Sequence, residues 1–232
     1  MSHEPVALWS ARSVRYGGAH LGLSQQVLLG FGVSALQATV DRINTLRQLI
    51  AQSPLQNAFP HPAIPAVLSD LCYQAGLVST ILFNDGKKGH KESNTAYDLR
   101  SERVRIVRDL CAAAGVDPAT LKDRGVRNAL THLDEYLADA LRRDANVGWA
   151  IDMALERRDE FAASPGIKVG FCRCFIRSED VLLHLDKQLS VAGLANECCA
   201  VLECVFGIAA PTLAPNQPPP SRAGSVAGQA GS

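Results

Sequence analysis

The sequence predicts a mainly α protein: a helical bundle followed by a small C-terminal β-hairpin, a last helix and a disordered tail. Over most of the chain before the tail, apolar residues recur with the three-to-four-residue spacing of amphipathic helices. One stretch near the C-terminus instead alternates apolar and polar residues, as a strand does. Of the 232 residues, 47% are hydrophobic, which is enough to build a core. We see no regular alternation of strands with helices that would indicate a parallel sheet.

Five helices are expected in the first part of the chain, over residues 23–50, 66–83, 95–114, 119–143 and 146–163. The first carries an apolar stripe that includes Leu29, Leu36 and Ile43, and Ser53-Pro54 ends it. A loop rich in glycine and lysine, residues 84–94, separates the second helix from the third. Gly115 and Pro118 are typical of the end of a helix and predict the end of the third.

The C-terminal part follows a different pattern. The hairpin is predicted over residues 167–176 and 181–185. In the first range the apolar residues Val169, Phe171 and Phe175 stand at alternating positions, as in a strand. The last helix is expected over residues 192–206. Residues 211–232 hold five of the twelve prolines and a single charge, so this tail cannot bury enough apolar surface to become ordered. We therefore predict one domain over residues 1–210, with residues 167–207 as a candidate subunit of it.

Charge and cysteine usage narrow the class of protein. The 23 basic and 23 acidic residues cancel, so contact with nucleic acid has to come from a local patch. Seven cysteines and no apolar N-terminal run favour free thiols in the cytoplasm. The cysteine spacing is not that of a zinc site, and we predict no metal and no cofactor. The longest apolar stretch, residues 27–40, is shorter than the ~20 residues of a membrane span, so no membrane is expected as a partner.

The predicted fourth helix carries the one motif that suggests chemistry. Within nine positions it contains Arg127, Asn128, Thr131, His132, Asp134 and Glu135. Of three Arg-to-His pairs with comparable spacing, only this one has Asn after the Arg and lies on a strongly amphipathic helix. On an ideal helix Asn128, His132 and Glu135 share a polar stripe, whereas Arg127 lies about 140° around from His132.

This pattern, an Arg followed by a polar residue, a short spacer and a His, resembles the motif of the HEPN superfamily of small all-helical proteins. The resemblance covers the motif and the helical architecture, and it does not extend to the hairpin or the last helix. It implies a metal-independent endoribonuclease or RNA-binding protein of a defence or toxin–antitoxin type, with two copies pairing so that their motifs line one cleft. Arg127 would then stabilise the phosphate, His132 would act as general acid and base, and Asn128 would orient them.

The roles of the neighbouring polar residues stay open. Thr131, Asp134 and Glu135 are candidate supporting residues, although the two carboxylates would also repel a phosphate. In the alternative interpretation the polar stripe is a solvated face, and the chain is a non-catalytic interaction protein that binds a protein partner or a small ligand.

A mild excess of positive charge follows the second predicted helix. Lys87, Lys88 and Lys91 lie in a glycine-rich loop and Arg103 lies on the helix after it. These four residues are candidate RNA contacts, although a solvated loop beside a charged helix face explains the same pattern. The sequence carries no feature that points to DNA.

Overall fold

A computed structural model describes residues 15–16, 19–20, 22–52, 62–123, 133–143, 147–161, 167–185 and 187–216. Of this part of the chain 61% is helical, which confirms the mainly α class. The helices are α1 (Leu23–Gln52), α2 (Ile64–Leu82), α3 (Asn94–Ala113), α4 (Ala119–Lys122), α5 (Leu133–Arg143) and α6 (Val191–Ala200).

The first two helices form an antiparallel pair at the centre of the core. The predicted apolar stripe of α1 is buried, including Leu36 and Ile43. Gly32 lies so close to Leu82 that a methyl group at this position would overlap that side chain. Near the other end of α2, Arg42 forms an ion pair with Asp70. The α1–α2 contact therefore extends at least from Gly32 to Arg42 along α1.

The second helix begins two residues before its predicted start. Pro65 lies in its first turn, where a missing backbone N–H removes no helical hydrogen bond. By length and composition α2 is the one described helix that could cross a membrane, and its mean hydropathy is 1.2. Nine of its residues are buried inside the protein, a pattern shared by the core helices of globular proteins.

The predicted helix over residues 119–143 is not continuous. Helix α4 ends at Lys122, and Asp123 has an extended backbone with ψ of 105°. Gly125 follows in the sequence, and glycine is a poor residue for a helix interior. Because the backbone is extended at Asp123, the polar stripe expected across residues 128–139 does not lie on one uninterrupted helix from residue 119.

Eight strands are described: β1 (Arg15–Tyr16), β2 (Ala19–His20), β3 (Val147–Ile151), β4 (Ala154–Leu155), β5 (Lys168–Cys172), β6 (Cys174–Ile176), β7 (Val181–His184) and β8 (Lys187–Ser190). β1 and β2 pair antiparallel. β3 pairs parallel with β5, and a mixed sheet has the order β4-β6-β7-β8.

Two expectations for this region are wrong. The segment predicted as a helix over residues 146–163 forms β3, β4 and a short 3₁₀ turn (Arg158–Glu160). Parallel pairing also occurs, although none was expected. The hairpin predicted over residues 167–176 and 181–185 is not a separate two-stranded unit. Its first segment forms β5, which pairs parallel with β3, and β6, which pairs antiparallel with β7 inside the larger sheet. The physical reason is tertiary: β3 and β4 become strands because segments 21 residues further along the chain pair with them.

The chain bends at the same level in both parallel pairs, β3 with β5 and β4 with β6. Asp152 separates β3 from β4, Arg173 separates β5 from β6, and their φ angles are positive, at 55° and 53°. These residues form an ion pair, with Arg173 Nη2 2.7 Å from Asp152 Oδ2. The same guanidinium donates to Ser69 Oγ of α2 at 3.3 Å. The ion pair thus helps to hold an uncommon backbone conformation and joins the bend to the helical layer.

The C-terminal helix turns the chain back towards α1. Helix α6 continues into a π-helical turn (Val201–Val205), and Gly207 follows with a φ of 65°. The next residues lie against α1, where Asn44 and Arg47 contact their backbone. We call residues 207–216 the strap. The predicted tail boundary at Pro211 is therefore too early, because hydrogen bonds hold the strap as far as Asn216. Residues 217–232 lie outside the described part of the chain.

Candidate functional site

The structure describes the flanks of the predicted motif. Arg127, Asn128, Thr131 and His132 lie outside the described residues, and the backbone of Asp134 and Glu135 belongs to the start of α5. Helix α4 therefore leads into the motif from one side, and α5 leads away from it on the other.

A carboxylate from another part of the chain fixes α4. Glu197 of α6 accepts hydrogen bonds from the backbone N–H groups of Thr120 and Leu121, both at 2.9 Å. These N–H groups are at the first turn of the helix, where a negative charge is favourable. Leu121 is buried in the core on the same turn. The chain that enters the motif thus starts from a turn that is bound to α6 and packed in the core.

A small open cleft lies beside α4. Its volume is about 210 Å³, and its lining residues are Phe83, Asp85, Val104, Arg108 and Lys122. Two cations and one carboxylate give the lining a positive balance. Lys122 also forms an ion pair with Asp117, with 3.2 Å between Nζ and Oδ1. Arg108 also has a carboxylate neighbour, with 3.8 Å between its Nε and Asp109 Oδ1, so both cations of the cleft lie in ion pairs.

The α2–α3 loop, residues 83–93, is built around one arginine. Arg100 of α3 donates from Nη1 to the carbonyl oxygens of Asn84 at 2.7 Å and Gly86 at 3.1 Å. It also donates to both carboxylate oxygens of Glu92 at 2.9 Å. Its guanidinium lies 5.2 Å from the centre of the Tyr97 ring. These contacts give the loop a defined shape, although the loop contains no helix or strand.

The Arg100 contacts change the acidity of Glu92. Hydrogen bonds from Arg100, and then from the Gly89 N–H, lower the pKa of Glu92 from 4.5 to about 2. The carboxylate is therefore charged at any pH near neutral and keeps the arginine occupied.

The four predicted RNA contacts divide into two groups. Lys87, Lys88 and Lys91 are exposed on the loop, and Lys88 Nζ donates to Asn94 Oδ1 at 2.6 Å. Arg103 is instead 6% exposed and donates to the Ile81 carbonyl oxygen at 2.8 Å. Burial lowers the pKa of Arg103. Arg103 lies on the buried stripe of α3 with Val107, so it differs from the three lysines in exposure.

The cysteines are free, and five of the seven are buried. Burial raises the pKa of Cys72 to about 12 and that of Cys174 to about 11, which keeps both thiols protonated near neutral pH. A thiolate is the nucleophilic form, so these two thiols are unsuited to nucleophilic chemistry. In the described ranges no group of three or more His, Cys, Asp or Glu side chains has the arrangement of a metal site.

Sequence reasoning missed the side chains that hold irregular segments in place: Asn44, Arg47, Arg100 and Glu197. For Arg47 a signal was available. It follows Val40 and Ile43 on the apolar stripe of α1, where a charge has to find a partner. Asn44 and Glu197 carry no such local signal, because their partners come from distant parts of the chain.

No protein-family model matches the chain, and neither a curated protein nor a solved structure is significantly similar to it.

Proposed function

We propose that this chain is a HEPN-like protein that binds RNA and cleaves it without a metal ion. The observation that carries the proposal is the Arg127-Asn128-x-x-x-His132 motif in the sequence between α4 and α5. The cleft with Arg108 and Lys122 supports it, because Lys122 is only five positions before Arg127 and five residues span at most about 18 Å.

In the proposed reaction the 2′-hydroxyl of a ribose attacks the adjacent phosphorus. His132 accepts the hydroxyl proton, since imidazole titrates near neutral pH. The bond from phosphorus to the 5′-oxygen breaks, and that oxygen takes a proton from a protonated histidine or from water. The products are a 2′,3′-cyclic phosphate and a 5′-hydroxyl end. Arg127 stabilises the charge that builds on the phosphate, because its fork of donors fits phosphate oxygens.

Supporting roles follow from the spacing of the motif. Asn128 orients the catalytic pair, and Thr131, Asp134 and Glu135 are the supporting residues. A second copy of the chain supplies a second motif to the same cleft, as the HEPN resemblance implies. Because the formal charge of the whole chain is zero, the RNA backbone has to be attracted by local cations, of which Lys87, Lys88 and Lys91 are exposed.

The test is cleavage of a single-stranded RNA by the purified full chain in the presence of a metal chelator. The wild-type chain is expected to release 2′,3′-cyclic phosphate ends, and His132→Ala is expected to lose at least 100-fold in rate, about the lower limit for removal of a general base. His90→Ala is the matched control, because His90 is an exposed histidine on the α2–α3 loop and should leave the rate unchanged. Equal cleavage by the wild-type and His132→Ala chains, or none by either, would overturn the proposal.

One observation favours a second candidate, a non-catalytic interaction protein. Leu23, Val27 and Phe31 of α1 are 77%, 50% and 61% exposed. They follow one another at intervals of four residues and so lie along one side of the helix. Large exposed apolar side chains in a row are typical of an interaction surface. If Phe31→Ser abolishes capture of a protein partner while no RNA is cleaved, this second function replaces the first.

A further inference from the structure

The strap is held against α1 by side chains that contact its backbone. Asn44 Nδ2 donates to the Thr212 carbonyl oxygen at 2.9 Å, and Asn44 Oδ1 accepts from the Ala214 N–H at 2.7 Å. Arg47 Nη1 donates to the Ala214 carbonyl oxygen at 2.8 Å. Asn44 and Arg47 are three residues apart on a helix and so share a face.

These three backbone groups all meet one face of α1, as they would along one edge of an extended chain. In extended backbone the C=O of one residue and the N–H of the second residue after it point to the same side. Asn44 and Arg47 therefore pair with the strap much as a neighbouring strand would, although they belong to a helix. Beyond this edge, Asn216 donates from Nδ2 to the Arg177 carbonyl oxygen at 3.0 Å.

The contacts restrict which residue types can occupy positions 211, 214 and 215 of the strap. Residue 214 needs an N–H and cannot be proline. Residues 211 and 215 present their backbone groups to the other side, and both are proline here. Proline lacks the N–H that is unused there and favours an extended chain, which lowers the entropic cost of binding. Between them, Leu213 is partly buried against the helical core.

The strap is attached less firmly than the elements under it. None of residues 207–216 is buried, whereas α1 contributes twelve buried residues. The strap follows Gly207, whose positive φ angle ends the last helical turn. Segments with few buried apolar contacts open at lower free energy than the core, so the strap can leave while the core stays folded.

We propose that the groove along α1, formed by Asn44, Arg47 and the adjoining Arg177–Asp180 turn, is a receptor for extended, proline-flanked peptide segments of partner proteins. The strap is its resident occupant. Asp180 completes the receptor by holding Arg47, with 2.9 Å between Nη2 and Oδ2. Because the strap is tethered, its effective concentration at the groove is on the order of millimolar, so it excludes weak peptides and yields to stronger ones.

The test uses the full chain with its own strap disabled. Leu213→Asp places a charge against the apolar core and releases the strap. A fluorescent peptide with the sequence of residues 207–216 is then titrated and followed by anisotropy. The peptide is expected to bind the Leu213→Asp chain at least tenfold more tightly than the wild-type chain, in which the strap competes. Equal affinity for both chains, or no binding to Leu213→Asp, would overturn the proposal.

Matched control variants distinguish recognition of the peptide backbone by Asn44 from non-specific peptide binding. Asn44→Ala added to Leu213→Asp is expected to weaken peptide binding at least tenfold. Thr45→Ala in the same background should leave it unchanged, because Thr45 donates only within α1, to the Asp41 carbonyl oxygen. A peptide with Ala214→Pro lacks the N–H that Asn44 accepts and should not bind. Binding that persists in both the Asn44→Ala chain and the Ala214→Pro peptide would contradict the proposed contacts.

If circular dichroism shows that Leu213→Asp is unfolded, hydrogen exchange of the wild-type chain decides instead. The Ala214 amide is expected to exchange at least tenfold faster than the Leu36 amide of buried α1, because the strap opens alone. Equal protection of the two amides would mean that the strap unfolds only with the core, and the proposal would then fail.

Discussion

Two irregular segments, the α2–α3 loop and the strap, are each held by arginine and amide or carboxylate side chains, but they are held for different ends. Arg100 contacts carbonyl groups 14 and 16 positions before it, so the loop is closed locally. Asn44 and Arg47 contact the strap across 167 to 170 positions. The loop carbonyl groups accept hydrogen bonds from Arg100, and the loop lysines stay exposed. The strap backbone instead forms hydrogen bonds with Asn44 and Arg47 of α1.

The comparison shows how the same contact can serve opposite purposes. The Arg100 contacts close a short loop, which costs little entropy, and leave the loop surface accessible to a ligand. The Asn44 and Arg47 contacts form only when the whole chain has folded, and the strap then covers this part of α1. Substitutions in the strap are expected to change stability more than substitutions in the loop.

The largest effect is expected from Arg47→Ala. The side chains of Arg47 and Asp180 are only 8% and 16% exposed, so the substitution leaves an unpaired, mostly buried carboxylate and a free strap. We expect the free energy of unfolding to fall by about 3 kcal/mol in urea denaturation. Arg42→Ala is the control: its ion pair with Asp70 is 42% and 35% exposed, and its loss should cost about 1 kcal/mol or less. Equal losses for both variants would contradict the assigned role of burial.

Gly207→Ala should have the next largest effect. A side chain there meets no atom within 4 Å, but the φ of 65° is unfavourable for alanine, so we expect a loss of about 1–2 kcal/mol. Gly30→Ala on α1 is the matched control, because it also has free space and lies inside a helix. Alanine is the better helix residue, so Gly30→Ala should stabilise by up to about 1 kcal/mol in the same denaturation experiment. A destabilised Gly30→Ala chain would count against the comparison.

For the loop, Arg100→Lys keeps the charge and removes the planar fork of donors. Hydrogen exchange should accelerate at the Gly86 and Gly89 amides and stay unchanged at Ala214 of the strap.

Low pH should also weaken the contacts that hold the loop. Because the folded-state pKa of Glu92 is lowered from 4.5 to about 2, its stabilising contribution is present above pH 4.5 and is lost as the pH falls through about 2. The loop amides of the wild-type chain should therefore lose protection in this range, and Arg100→Lys should show a smaller change.

The smallest effect on stability is expected from the triple variant Lys87→Ala, Lys88→Ala and Lys91→Ala. These exposed side chains should change the free energy of unfolding by less than about 0.5 kcal/mol. If they contact RNA, the slope of log affinity against log salt should fall by about 2, at about 0.7 per lysine. Lys168→Ala on β5 is the control for charge alone and should leave the slope unchanged. An unchanged slope in the triple variant would remove the loop from the RNA-binding surface.

The helices were largely predictable because their apolar periodicity reports which face is buried. The stripe of α1 and the end of α3 at Gly115 are confirmed. The strands around Trp149 do not follow from apolar periodicity: Gly148 weakens a helix there, but the strand conformation of β3 depends on its pairing with β5. Likewise, the pattern of residues 119–143 predicts one helix, but the backbone is extended at Asp123.

At the candidate site the sequence determined less. It identified the motif at Arg127 and His132 and the three exposed lysines, because residue type and spacing are local properties. It grouped Arg103 with those lysines, although Arg103 shares the buried stripe of α3 with Val107 and contacts the Ile81 carbonyl oxygen. Periodicity could have shown this, whereas the partners of Glu197 could not have been found from spacing alone.

By itself, the sequence determined that the protein is mainly helical, has no net charge and concentrates its candidate chemistry in one short motif. Each of these follows from composition or from contacts within a few turns of helix. Only the tertiary structure decided that residues 147–151 and 154–155 are strands, that Arg103 is buried and that the chain beyond Gly207 lies along α1. These features depend on groups that meet only after the chain has folded, and no local pattern encodes which distant partner a backbone N–H or a carboxylate will find.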